Sequence, residues 1–185
     1  MNVFKLMVMG LLLLYVPNMN SQNNLTKKVW YGIDYSYGFG LQDKGDLFSL
    51  NRSNSGENMY VVDLRAMTGY NISTRLSLGV GLGLAGYHHN NFNTMPIFLD
   101  LRYNLPMQHQ KFFIYTDIAF PLSVNSDVSF LFMNDFGMGC KIPIYKKMNF
   151  VPSFGYNFIT YKMDWGTISE RRFRHSLFIR LGIEF

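Results

Sequence analysis

The sequence predicts an all-β protein, an eight-stranded antiparallel up-and-down transmembrane β-barrel. Three observations carry that expectation. Bulky apolar side chains recur at every second position in eight separate segments, and a strand places successive side chains on opposite faces. The intervening positions are small or charged, with glycine prominent. Charged residues make up only 16% of the chain against 17% aromatic, whereas a soluble domain carries about 25% charge. One apolar and one polar face, repeated eight times, is the pattern of strands that cross a bilayer.

The chain opens on a different pattern. Met1 to Lys5 forms a short basic start, and Leu6 to Val16 is apolar but too short to span a bilayer as a helix. The small and polar run Asn18 to Ser21 then offers a cut at Ser21–Gln22. Residues 1–21 therefore read as a cleaved signal peptide, 22–27 as a polar lead-in and 28–185 as the barrel. Losing Lys5 brings the net charge from +5 to +4. Cys140 is the single cysteine, which excludes an intrachain disulfide, and no cysteine near the cut suggests a lipid anchor. No later stretch approaches about 18 consecutive apolar residues, so no transmembrane helix is expected.

The first strand, 28–40, has Val29, Tyr31, Ile33, Tyr35, Tyr37 and Phe39 on one face, with Gly32, Asp34, Ser36 and Gly38 on the other. The second, 58–71, sets Tyr60, Val62, Leu64 and Tyr70 against Asp63, Arg65, Met67 and Gly69. The third, 76–86, sets Leu76, Leu78, Val80, Leu82 and Leu84 against Ser77, Gly79, Gly81 and Gly83. The fourth, 95–105, sets Ile97, Leu99, Leu101 and Tyr103 against Phe98, Asp100 and Arg102. The fifth, 111–120, sets Phe112, Ile114, Ile118 and Phe120 against Phe113, Tyr115 and Asp117. The sixth, 129–142, sets Phe130, Phe132, Phe136, Met138 and Ile142 against Asp135, Gly137, Gly139 and Lys141, with Asn134 interrupting the apolar face. The seventh, 148–160, sets Phe150, Phe154, Tyr156 and Phe158 against Ser153, Gly155 and Asn157. The eighth, 172–185, sets Phe173, Leu177, Ile179, Leu181, Ile183 and Phe185 against Arg174, Ser176, Arg180, Gly182 and Glu184, with His175 interrupting.

The connections alternate in length. Those at 41–57, 87–94, 121–128 and 161–171 are long or moderate; those at 72–75, 106–110 and 143–147 are short. Outer-membrane barrels have short periplasmic turns and longer external loops, so both ends of the strand array are expected in the periplasm. The loops at 41–57 and 161–171 are the expected contact surfaces.

Alternation alone does not say which face points inward. Five or six bulky groups on most of eight strands exceed what the bore of an eight-stranded barrel holds. Glycine weakens a strand and gains nothing on a wetted surface, whereas in a crowded bore it makes room for larger neighbours. The polar face also carries near-balanced charge: Asp34, Asp63, Asp100, Asp117, Asp135 and Glu184 against Arg65, Arg102, Lys141, Arg174 and Arg180. Buried charges need partners, and a cation at mid-depth on the lipid face costs roughly 2–4 kcal/mol. The polar face is therefore expected inside, as a structural network of ion pairs. Aromatic girdles follow: Tyr70, Tyr103, Phe112, Phe150 and Phe185 at one interface, Tyr37, Phe39, Tyr60, Phe120, Phe130 and Phe158 at the other.

With these strands, this turn phase and the closing run Ile179 to Phe185, residues 28–185 resemble the small eight-stranded outer-membrane proteins of OmpA/OmpX type and the outer membrane protein beta-barrel domain families. The resemblance implies the outer membrane of a Gram-negative bacterium. It also implies that the terminal Phe185 is read by the barrel-assembly machinery.

Several motifs invite other readings. Gly81 to Gly86 matches the dinucleotide pattern G-x-G-x-x-G, but a loop rather than a helix follows it. His88 and His89 are adjacent and lack convergent ligands of the kind zinc requires. Arg174-His175-Ser176 resembles the His and Ser of outer-membrane lipid A deacylases, yet adjacent residues face opposite sides of a strand and no acid is placed for a triad. No catalytic, cofactor or metal site is expected. Lys162 and Arg171 extend the outward parity at the external rim and could meet lipopolysaccharide phosphates as charge-assisted pairs. The resulting expectation is a monomeric, non-enzymatic outer-membrane barrel with a plugged bore. Its partners would be lipid, lipopolysaccharide and an unidentified ligand of the external loops, with no nucleic acid. A small lipid-modifying enzyme and a narrow channel are the alternatives.

Overall fold

The computed structural model describes residues 29–44, 59–88, 92–106, 111–123, 128–145, 148–165 and 168–185. The signal peptide and lead-in expected at 1–27, and the tip of the first long loop, lie outside them. Eight strands form one closed barrel: β1 (Val29–Lys44), β2 (Tyr60–Asn71), β3 (Leu76–Tyr87), β4 (Phe92–Asn104), β5 (Lys111–Ser123), β6 (Val128–Tyr145), β7 (Met148–Trp165) and β8 (Ile168–Glu184). Each strand pairs antiparallel with its neighbours in sequence, and β8 closes on β1. At the end here called the base, Phe185 N–H donates to Tyr31 O at 2.8 Å and Tyr31 N–H to Phe185 O at 3.3 Å. The opposite end is the rim.

The polarity is inside out. Leu78 and Leu99 on the outer wall are 38% and 43% exposed, while Asp63, Arg102 and Asp117 are 3%, 5% and 1% exposed. The alternation explains this: where every second side chain is apolar, closing the sheet must put one set in the bore, and only the small and polar set fits. Gly69 and Gly81 lie directly against the Trp30 and Phe98 rings, and a Cβ at Gly139 would stand 2.6 Å from Phe113 Cζ. The glycines are the space that the inward aromatics fill.

The strands are staggered. Perpendicular to the chain direction, the register runs Trp30, Gly69, Gly79, Asp100, Asp117, Asp135, Asn157, Ser176 and returns to β1 at Gly40, ten residues beyond its start. Such stagger accompanies strand tilt in a closed barrel. It lets side chains several residues off one register row meet across the bore.

Two expectations need correction. First, 161–171 is not a long loop. β7 and β8 stay paired to Trp165–Ile168, leaving only 166–167 between them. The run Tyr161 to Arg171 holds Tyr, Trp, Ile and Thr, which suit a pleated sheet, on either side of a glycine. Second, β1 continues to Lys44 beyond a register shift between Gly40 and Gln42. That shift turns Asp43 inward, where it is buried. Smaller extensions lengthen β6 at both ends, and β4 starts at Phe92 and ends at Asn104, one residue before the expected limit. The wall is consequently uneven: β1 and β6 to β8 have 16 to 18 residues, β2 to β5 have 12 or 13. Among the described residues the β5–β6 ladder ends at Ala119–Met133, while β5 continues along β4 and β6 along β7. Pro121 lies in the part of β5 that is unpaired with β6, and it has no N–H to donate.

Candidate functional site

The bore is built around three carboxylates in one row. Asp100 on β4 pairs in register with Asp117 on β5, and Asp117 with Asp135 on β6. Like charges directly opposite each other destabilise a sheet, so this row needs cations: Arg102 on the same strand serves Asp100, and two guanidiniums from across the bore serve Asp117 and Asp135. Arg65 on β2 places Nη1 2.9 Å from Asp117 Oδ2 and Nη2 2.6 Å from Asp135 Oδ2. Arg180 on β8 places Nη1 3.2 Å and Nη2 3.1 Å from the same two oxygens. Arg65 Nε also donates to Asp63, and Asn157 Nδ2 donates to Asp135 Oδ1. Among the described residues, Asp63 Oδ1, Asp117 Oδ1 and Arg180 Nε have no hydrogen-bond partner. Shared charge, more than one-to-one hydrogen bonding, therefore holds the cluster.

A second group lies toward the base. Arg102 Nε is 2.8 Å from Asp100 Oδ1, and its Nη1 is 3.1 Å from Glu184 Oε2. Lys141 Nζ is 2.6 Å from Glu184 Oε1. Asp34 is buried on the same inner face, in register with Arg65. A third pair lies near the rim. Arg174 Nη1 is 3.7 Å from Asp43 Oδ2, the Tyr161 hydroxyl donates to Asp43 Oδ1 at 2.5 Å, and Arg174 also donates to the carbonyls of His88 and Tyr60. The eleven charged residues assigned to the bore by parity are thus all on its inner face, and Asp43 joins them. Asp43 escapes sequence reasoning because the β1 irregularity shifts its parity.

Rings complete the packing. Arg102 lies over Trp30 at 4.3 Å, Arg180 over Phe178 at 4.8 Å, Arg65 over Phe98 at 5.1 Å, and Arg174 over Tyr87 at 5.1 Å. A desolvated cation on an aromatic face gains up to about 2 kcal/mol. These contacts explain why large aromatics occupy a face that otherwise carries charge and glycine. Above the central cluster, Tyr87, Phe92, Val128, Met133, Ile159 and Tyr161 form an apolar layer that closes the bore toward the rim.

On the outer wall, two polar interruptions of the apolar face make local hydrogen bonds. Asn134 Nδ2 donates to Thr116 Oγ1 at 3.2 Å and to Asp117 O at 3.1 Å. His175 is hydrogen-bonded to the Tyr156 hydroxyl through Nδ1. Ser176 is fully buried on the inner face, so His175 and Ser176 point to opposite sides of β8 and form no catalytic pair. His88 is stacked on Tyr60 with ring centroids 4.3 Å apart, and His89 lies outside the described residues. Gly81 to Gly86 sits inside β3, and the next described element is the strand β4. Among the described residues no three His, Cys, Asp or Glu side chains converge on a metal-sized point. Lys162 and Arg171 are exposed and face each other across the β7–β8 ladder.

No protein-family profile and no curated protein matches the chain. Solved structures do. The outer-membrane protein AlkL, determined in lipid bilayers by solid-state NMR, is similar with a TM-score of 0.54 at 14% identity, over 91% of this chain and 93% of that one. Neisserial surface protein A is similar with a TM-score of 0.53 at 15% identity, over 82% of this chain and 95% of that one. The fold is that of small outer-membrane β-barrels. At these identities the likeness is one of fold alone.

Proposed function

We propose that the chain is a non-enzymatic, integral outer-membrane protein of a Gram-negative bacterium. Its bore is a structural plug, and its work is done on its outer surface and rim. One observation carries this reading: the Arg65, Asp117, Asp135 and Arg180 side chains join opposite walls and are 1% to 4% exposed. Eight strands leave a bore that side chains alone can fill, and here they fill it with paired charge. In this reading the base faces the periplasm, the tall β6–β8 wall faces outward, and Phe185 is the signal for the assembly machinery.

Planar-bilayer recording of purified protein tests the plug. No stable unitary current is expected, and reproducible channels would overturn the closed bore. The same preparation should shift in gel mobility on boiling and should fractionate with the outer membrane; recovery as a soluble protein would overturn the membrane reading.

A further inference from the structure

We propose that the outer face of the β7–β8 hairpin is a docking site for a phosphate-bearing lipid of the surrounding leaflet. Lys162 and Arg171 would hold its phosphate, and the aromatic rings beneath would hold its acyl chain. The inference rests on the outer-membrane reading above.

Lys162 and Arg171 are directly opposite each other in the β7–β8 ladder. Two cations in that position repel, and among the described residues neither has a carboxylate partner. The arrangement is relieved by an anion that bridges both. A phosphate does so with several acceptor oxygens and charge-assisted bonds. Arg171 is already fixed in part, since its guanidinium lies 5.2 Å from the centre of the Phe173 ring.

The surface below the cations argues for a lipid over a free anion. Phe173 stacks on Phe158 at 6.1 Å, Phe158 meets His175 at 5.1 Å, His175 meets Tyr156 at 5.8 Å, and Tyr156 meets Phe136 at 5.2 Å. These rings form one stripe down the outward face of β6, β7 and β8. The Tyr156 hydroxyl and His175 Nδ1 are hydrogen-bonded to each other, so the stripe presents a mostly apolar surface. Cations above and rings below match a molecule with an anionic head and a hydrocarbon tail. Aromatic residues favour this interfacial depth.

Binding of purified protein in detergent micelles to lipopolysaccharide tests the proposal. Comparison arms use the same lipopolysaccharide with its phosphates removed, and inorganic phosphate. Wild-type protein should bind the phosphorylated form. The K162A/R171A double variant should bind it about tenfold or more weakly, the loss of a charge-assisted contact. Phe158→Ala with Phe173→Ala should also weaken it, and Lys162→Arg should preserve it. Equal binding by K162A/R171A, or equal binding of the dephosphorylated form, would overturn the site. Inorganic phosphate binding as tightly would mean a free-anion site and also overturn it. Each variant is first checked for the boiling-dependent gel shift, so that misfolding is not read as lost affinity. A membrane-inserted, non-conducting protein that fails these tests refutes the lipid site and leaves the function above standing.

Discussion

The central ion cluster and the one at the base use the same chemistry in different surroundings. In the centre, Arg65 and Arg180 share Asp117 and Asp135, each cation touches both acids, and the apolar layer closes the space toward the rim. At the base, Arg102 and Lys141 meet at Glu184, and the Lys141 side chain is 11% exposed. In the sealed centre the loss of one cation leaves several acids to share the other, with no water to screen them. A charge near an opening has a second cation and water within reach. Burial alone does not rank these residues; how many alternative partners remain after a loss does.

Replacement of cations breaks or sharpens that contrast. Arg65→Met has the largest expected effect. It leaves Asp63, Asp117 and Asp135 with Arg180 alone, and removing one partner of a buried pair destabilises by about 3–5 kcal/mol. Urea unfolding of the protein in lipid vesicles measures it. Adding Asp135→Asn to Arg65→Met should restore part of the loss, because the remaining charges then balance better. If the double variant is no more stable than the single, the cluster is not held by charge. Arg102→Met should cost somewhat less, about 3 kcal/mol, because buried Asp100 loses its guanidinium while Glu184 keeps Lys141. Lys141→Met should cost least, about 1 kcal/mol or under, since Glu184 keeps Arg102 at 3.1 Å and the site is partly open. A reversed order among the three, in the same unfolding assay, would erase the distinction between the two clusters.

Much of the fold was legible residue by residue. Parity alone sent Asp34, Asp63, Arg65, Asp100, Arg102, Asp117, Asp135, Lys141, Arg174, Arg180 and Glu184 inward, and glycines such as Gly69 and Gly81 beside them. The limits of β7 and β8 were not legible, because Lys162 and Arg171 look like loop charges until the two strands are paired. Nor was Asp43, since one irregular residue in β1 inverts the parity of everything after it. Trp30, Phe98 and Phe113 fall on the polar face without an obvious reason in the sequence. Only the packed bore shows that they are the rings on which the cations rest.

By itself the sequence determined which side of each strand meets hydrocarbon, because a two-residue period has only two faces and eight strands cannot hold their bulky set inside. The tertiary structure decided which acid meets which base. Asp100, Asp117 and Asp135 stand in one row by the register of neighbouring strands, but Arg65 and Arg180 reach Asp117 and Asp135 across the bore only because closure staggers the strands by ten residues around the barrel. That stagger belongs to the closed cylinder and is written in no single strand.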